Sequence, residues 1–251
     1  VVQEPFLEER HLAAQGDVTL FLRDDFLAGI VGRPSFRVEV PPRGCDEAAI
    51  EAIRAAQQRP VFLHARLPTD SLTAVAQLEA IGFHLIDTNV TFEGTATGQY
   101  AVAGATRSAR QDDRDAVMAL AANSFVHSRL HLDPAIPRAV ADRSRAEWAG
   151  NFFAGKRGDH MIVAESDGAL AGFAQLLGPR DGVLTIDLIG VAPPSRRRGI
   201  AHTLIAASAN IAGTQTLRVG TQIANTPSLR LYEALGFRIV GSHYVLHYHR
   251  V

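Results

Sequence analysis

Between Val183 and Ala212 the chain runs from an apolar, strand-forming stretch through two prolines and three arginines into a helix-forming stretch, and few folds accommodate that order. Val183–Val191 alternates aliphatic residues in the manner of a strand, and Pro193-Pro194 cannot extend a ladder. From Arg198 to Ala212, Ile200, Leu204 and Ile211 recur at near-helical spacing before Gly213, which predicts a helix there. The turn between the two, Ser195-Arg196-Arg197-Arg198-Gly199-Ile200-Ala201, has small residues at Gly199 and Ala201, where a bulky anion can approach the backbone. The amides of a first helical turn lack helical partners and sit in the positive end of the helix dipole, so a phosphate group suits them. Arg196, Arg197 and Arg198 add charge around that position. A basic triplet alone is most often solvated surface; the strand before, the helix after and the spacing of the small residues distinguish this one.

The segments around the turn extend the alternation. Gln111–Asn123 has a helical face of Ala116, Val117, Leu120 and Ala121, with Asp112, Asp113 and Asp115 near its start, where the dipole favours acids. A second helix is predicted from about Pro137 to Phe153 and carries the only tryptophan, Trp148. His160–Glu165 and Leu170–Leu177 read as strands joined at Ser166-Asp167-Gly168, a hairpin signal. Thr216–Gly220 reads as a short strand. Pro227–Leu235 reads as a helix with Thr226 as N-cap and Gly236 past its end, and Phe237–Val240 and His243–His249 read as closing strands. Such alternation predicts an α/β domain with a mixed, partly antiparallel central sheet.

Residues 1–100 contain an echo of that end. Leu78-Glu79-Ala80-Ile81-Gly82-Phe83-His84-Leu85-Ile86 parallels Tyr232-Glu233-Ala234-Leu235-Gly236-Phe237-Arg238-Ile239-Val240, and each follows a β-prone segment, Val61–Ala65 and Thr216–Gly220. Helix, glycine stop and strand is a common ending, so chance similarity competes with duplication. Duplication is the favoured reading, with a degenerate first copy in which Leu78 stands where Tyr232 stands. The expected division is a structural half-domain over 1–100, a Gly/Ala/Thr-rich linker over Glu93–Gly104, and a working domain over 105–251.

Composition removes several functions. Lys and Arg number 25 against 26 Asp and Glu, for a net charge of −1, which argues against a nucleic-acid binder working through an overall positive field. The only cysteine is Cys45, so no internal disulfide is possible, and a lone thiol is usually inert. No apolar run of membrane-spanning length and no signal-peptide pattern occurs, so a cytoplasmic protein is expected.

The stretch Arg196-x-x-Gly199-x-Ala201 after a strand resembles the acyl-CoA pyrophosphate loop of the GNAT superfamily of N-acyltransferases. Two further resemblances follow the family's order. Ala105–Asp113 is similar to its first strand and the start of its first helix. Asn225-Thr226-Pro227-Ser228-Leu229-Arg230-Leu231-Tyr232-Glu233-Ala234-Leu235-Gly236-Phe237 is similar to its last helix, where an asparagine and a tyrosine border the cofactor. The likeness implies a GNAT fold preceded by a degenerate GNAT-like half-domain, and acetyl-CoA as the donor. A narrower likeness covers Phe125-Val126-His127-Ser128-Arg129, the Trp148 helix and Leu217–Gln222, which resemble the bacterial TDP-fucosamine acetyltransferases, enzymes that acetylate the 4-amino group of a nucleotide-linked deoxysugar.

The resemblance implies a mechanism of direct transfer from acetyl-CoA to a small-molecule amine. Tyr232 matches the family's general acid; a phenol stays protonated near neutrality and can donate to the leaving thiolate. The other reading of Tyr232 is a packing residue on an amphipathic helix. Asp187 is the candidate base, because it interrupts an apolar strand and shares parity with Ile189 and Val191; the other reading is an acid that faces solvent or pairs with an arginine. Backbone N–H groups near Ile189 and Val191 are the expected oxyanion donors. Arg196, Arg197, Arg198, Gly199, Ile200 and Ala201 would hold the pyrophosphate, and Asn225 would orient the pantetheine or serve as a turn residue. His127, Arg129 and Gln222 are candidate substrate contacts. His243, His247 and His249 alternate along one strand face, but the sequence offers them no supporting carboxylate set, and no metal is expected. The expected partners are CoA and a small amine, with no nucleic acid or membrane, and with monomer and homodimer both open. Two alternatives remain at this level: a peptide or protein N-acetyltransferase, and a non-catalytic acyl-CoA-binding module.

Overall fold

The computed structural model describes residues 19–96, 105–166 and 168–251. The chain forms two compact units, one of residues up to Asn89 together with Ser242–Val251, the other of Val90–Gly241. The boundary therefore falls inside a strand rather than at the expected linker: Glu93–Thr95 continue strand β4 (His84–Thr95), and 97–104 lie outside the described residues.

In the first unit β1 (Leu20–Arg23) pairs antiparallel with β2 (Ser35–Glu39) across helix α1 (Asp25–Val31). Helix α2 (Glu47–Ala56) carries the chain to β3 (Val61–Pro68), parallel to β2. Helix α3 (Leu72–Ala80) follows, then β4. The last strand, β10 (Arg238–Arg250), runs antiparallel to β3 from His243↔Pro68 to Arg250↔Val61. Flanked on both sides, β3 is buried along nearly its whole length, as a central strand must be. Leu63, Leu67, Leu78, Phe83 and Leu246 meet in one core.

The β2–α2 connection extends the echo upstream of Val61. It contains Pro41-Pro42-Arg43-Gly44, and two amides at its end are taken by side chains of the same unit. The Asp46 carboxylate accepts from the Ala49 N–H at 2.8 Å, and Gln77 Oε1 accepts from the Cys45 N–H at 2.7 Å.

In the second unit the sheet order is β4–β9–β8–β7–β6–β5. Its strands are β5 (Thr106–Ser108), β6 (His160–Ser166), β7 (Ala169–Arg180), β8 (Val183–Val191) and β9 (Thr216–Gln222). Strands β5 to β8 are mutually antiparallel, whereas β9 is parallel to β8 through helix α7 (Ile200–Ala209). Helices α4 (Arg114–Ser124), α5 (Arg129–Leu132) and α6 (Arg138–Phe153) precede β6. Helix α8 (Thr226–Ala234) follows β9. Alternation along β6 separates two cores. Met161 and Val163 pack with α4 and α6, while Ile162 and Ala164 pack with Leu204 and Ile205 of α7. This α/β sandwich with a mixed, largely antiparallel sheet is the expected class.

Several boundaries moved for local reasons. Helix α7 starts after Gly199, not at Arg198, because Gly199 has φ of 80° and cannot be a right-handed helical residue. Asn225, not Thr226, is the N-cap of α8, its side chain accepting from the Ser228 N–H. The two closing strands are one, β10. The hairpin signal at Asp167 falls outside the described residues. No helix among the described residues is long and apolar enough to cross a membrane.

The echoed segments end their helices with matching bonds. Phe83 N–H donates to Leu78 C=O at 3.0 Å and Gly82 N–H to Glu79 C=O at 3.0 Å. Phe237 N–H donates to Tyr232 C=O at 2.9 Å and Gly236 N–H to Glu233 C=O at 2.9 Å. Gly82 and Gly236 both take positive φ, 89° and 78°, as this type of helix stop requires.

Candidate acyl-donor site

Two irregularities in β8 create the site. The first is a bulge: Gln175 pairs with Leu188 and Leu176 with Ile186, which leaves Asp187 with no partner of its own on β7. The bulge reverses the alternation of faces, so Ile186 packs in the α7 core while Leu188 packs in the α4–α6 core. The second is a parting of strands: the β8–β9 register runs from Val183↔Thr216 only to Ile186↔Val219. Beyond it the ladder phase on the β7 side can be read from Ala192 N–H, which donates to Ala171 C=O at 2.8 Å. Alternate residues of an antiparallel pair bond across it, so Leu188, Gly190 and Ala192 direct their backbone groups to β7. Ile189 and Val191 direct theirs to the opened side.

The chain leaves β8 through a 3-10 turn at Pro193–Ser195 and reaches α7 through the arginine turn. Arg197 and Gly199 both adopt positive φ, 62° and 80°. Left-handed residues in such a turn aim neighbouring N–H groups into one concavity, a backbone anion site. A non-glycine residue at positive φ is uncommon and costs on the order of 1 kcal/mol or more, so its place here marks a constrained turn. No side chain caps α7. Arg197 and Arg198 are exposed, whereas Ile200 is buried in the α7 core. Arg196 Nη2 donates to Ser124 C=O at 3.1 Å and its Nε to Val191 C=O at 3.3 Å. It braces the turn against the end of α4, and Ser124 Oγ reinforces the joint by donating to Val191 C=O at 3.3 Å. Gly172 permits the close packing beneath, since a Cβ there would lie 2.9 Å from both Gly190 C=O and Ile200 Cγ2.

Tyr232 is 2% exposed and packs against the rings of Phe92 and Phe237, with centroids at 5.5 and 5.7 Å. Burial pushes its phenol well above the ordinary tyrosine range, so it is fully protonated near neutrality. Ile189 and Val191 pack against the same core. Asn225 spends its side chain on the fold: Oδ1 caps α8 and Nδ2 donates to Thr221 Oγ1 at 3.1 Å. Gln222 ends β9 and is partly exposed.

Asp187 points to the α6 side, opposite to Ile189 and Val191, because the bulge breaks the parity on which the sequence argument relied. Its carboxylate accepts from Trp148 Nε1 at 2.8 Å, Arg157 Nε at 2.7 Å, Arg157 Nη2 at 2.6 Å and Gln175 Nε2 at 3.3 Å. The Arg157 guanidinium also lies 4.4 Å from the Trp148 ring centroid. Pairing with an arginine was the other reading of Asp187; that the arginine is Arg157, and that Trp148 and Gln175 join it, was missed, and a lone tryptophan on a helix facing a strand acid was the available signal.

His127 and Arg129 are partly exposed and flank the buried Ser128. Ser128 Oγ lies 2.6 Å from His131 Nδ1, and His131 Nε2 lies 2.9 Å from Asp142 Oδ1. This chain of bonds ties the short helix α5 to α6. Burial lowers the His131 pKa against the opposing pull of the Asp142 carboxylate.

Residues 122–237 match the acetyltransferase (GNAT) family. The chain is 36% identical over 138 residues to the spore coat polysaccharide biosynthesis protein SpsD of Bacillus subtilis (strain 168), covering 54% of this chain and 47% of SpsD. The chain thus spans about half the length of that curated relative. Among solved structures, a GCN5-related N-acetyltransferase from Kribbella flavida superposes with a TM-score of 0.60 at 16% identity, over 95% of this chain and 89% of that one. A tandem GNAT protein from the clavulanic acid biosynthesis pathway gives 0.58 at 16% identity, over 87% and 76%. At such identities the structural likeness speaks for the fold. The sequence matches place residues 122–237 with the acetyltransferase (GNAT) family, and the structural likeness agrees with that fold.

Proposed function

We propose that the Val90–Gly241 unit transfers the acetyl group of acetyl-CoA directly to the primary amine of a small molecule, with a nucleotide-linked amino sugar as the acceptor class. The observation that carries this reading is the parting of β8 from β9 beyond Ile186↔Val219, continued by the positive-φ turn at Arg197 and Gly199. An extended pantetheine arm can lie along the opened edge as a strand would, bonding to Ile189 and Val191, with its pyrophosphate on the turn and the first amides of α7. The acceptor class is supported by the likeness of the Phe125–Arg129 and Leu217–Gln222 segments to sugar acetyltransferases, and by the role in polysaccharide biosynthesis that SpsD bears in its name.

In the proposed reaction the neutral amine attacks the thioester carbonyl and the C–N bond forms. The oxyanion takes hydrogen bonds from the opened backbone edge at Ile189 or Val191. The C–S bond then breaks, the sulfur takes the Tyr232 proton, and the amine nitrogen releases its extra proton to water. Asp187 does not suit the base role, since four hydrogen-bond donors, two of them on Arg157, already occupy its carboxylate oxygens. The pairing of a degenerate half with a working half fits the matched helix stops at Gly82 and Gly236.

The test is incubation with acetyl-CoA and a panel of nucleotide-linked amino sugars, simple amines and peptide amines, with release of free thiol as the readout. Turnover on an amino sugar supports the proposal. Turnover confined to peptides overturns the acceptor class, and tight CoA binding without turnover overturns catalysis.

A further inference from the structure

We infer that the Asp187–Arg157 pair is a positioning lock on the acyl-binding strand: it fixes the β8 bulge and thereby sets which backbone groups face the donor. This rests on the proposed use of the β8 edge for acetyl-CoA. A bulged residue has no ladder partner, so the phase of the strand beyond it must be held by something else. On β8 that phase matters. A one-residue slip of Leu188–Val191 along β7 would turn the groups of Leu188 and Gly190 to the opened side, withdraw those of Ile189 and Val191, and exchange the faces of every side chain.

Three side chains grip the bulged residue from the α6 side. Trp148 reaches it from α6, Arg157 from the segment after α6, and Gln175 from β7, where it is itself the partner of Leu188. Arg157 makes two parallel bonds to the carboxylate, at 2.7 and 2.6 Å, the fork geometry that a lysine cannot reproduce. Gln175 is wholly buried, and a Cβ at Gly158 would come within 3.1 Å of it, so its place is fixed as well. The arrangement consumes the acceptor capacity of Asp187 and leaves the acid no proton-transfer role, but it holds the acid, and hence the bulge, in one position.

The experiment compares the full chain with Asp187→Ala, Arg157→Met and Arg157→Lys. CoA affinity is measured by calorimetry, KM and kcat by thiol release, and backbone exchange of the peptide spanning Val183–Ala192 with and without CoA by mass spectrometry. In the wild type CoA should slow exchange of that peptide. In Asp187→Ala and Arg157→Met the protection should be lost and the KM for acetyl-CoA should rise at least tenfold. The pH profile of kcat/KM for the amine should keep its shape. Arg157→Lys, the mildest change, should fall between, which covers the case in which Asp187→Ala does not fold. Folded variants with CoA affinity and peptide protection within twofold of wild type overturn the lock. Loss of the acidic limb of the pH profile at unchanged CoA affinity overturns it in favour of a base. A wild-type chain that binds no CoA overturns the underlying function instead.

Discussion

Replacing Tyr232 by Phe separates the two readings of that residue cleanly, because the site makes the substitution nearly silent for stability. The ring is fully buried among Phe92 and Phe237, contacts that Phe retains. The hydroxyl has no hydrogen-bond partner among the described residues, so its removal abandons no buried partner, and the change in stability should stay within about 0.5 kcal/mol. For a chain of this length that is about 1–2 °C in melting temperature. Turnover should respond very differently. Loss of general acid catalysis costs roughly 10²–10⁴ in rate, equivalent to about 3–5 kcal/mol of barrier. Because burial raises the phenol's pKa above that of a thiol, a Tyr232 acting as the acid would donate its proton as the C–S bond breaks and the sulfur gains charge, rather than beforehand. The assay is thiol release under single-turnover conditions, with CoA affinity and melting temperature measured on the same sample. A folded Phe variant that keeps more than a tenth of wild-type turnover, with chemistry rate-limiting, would remove Tyr232 from the mechanism and leave it a core residue.

Gly199→Val places a β-branched side chain at a φ of 80° and in the path of the pyrophosphate, so CoA affinity should fall more than tenfold, and unchanged affinity in calorimetry would sink the turn as the phosphate site. The chain should bind one CoA and not two, since two amides at the end of the β2–α2 connection are already used by Asp46 and Gln77; a titration reaching two per chain would refute this. Asp87 is buried, no side chain among the described residues hydrogen-bonds its carboxylate, and desolvation raises its pKa to about 6 against the opposing pull of the Thr88 N–H and the Arg66 charge. The folded state therefore holds a proton between about pH 4 and 6 that the unfolded chain releases, and stability falls as pH rises through that window, then levels off. Asp87→Asn should melt higher than wild type at pH 7, by less than the about 3 kcal/mol that the full shift is worth, with the difference shrinking toward pH 4; a gap independent of pH would refute the assignment.

The sequence carried the working unit well because its signals are local. Prolines end β8, glycines end α8 and precede α7, and the apolar periods of α4, α6 and β6–β8 agree with their neighbours. The position of Asp187 was not legible, since a bulge leaves no mark in an alternating pattern: the burial of β8 alternates without a break while its faces exchange at Asp187. Arg196 was read as charge around the phosphate, and Asn225 as either a pantetheine contact or a helix-entry residue; their side chains brace the turn and cap α8. Those bonds, like the Ser128–His131–Asp142 chain, depend on which elements meet in space. The first unit was legible only from Val61 to Ile86, because its β2–α2 connection has Pro41-Pro42 and Gly44 but no basic run, and Asp46 caps its helix.

The opened edge of β8 has a thermodynamic consequence. A sheet that stops pairing at Ile186↔Val219 is unfinished, and a pantetheine arm bonded to Ile189 and Val191 would complete it as a borrowed strand. A ligand that binds only the folded chain stabilises it by mass action, about 2.7 kcal/mol when its concentration is a hundredfold above the dissociation constant. The cofactor would then be a folding partner as well as a reactant, and the lifetime of the protein would follow the supply of CoA.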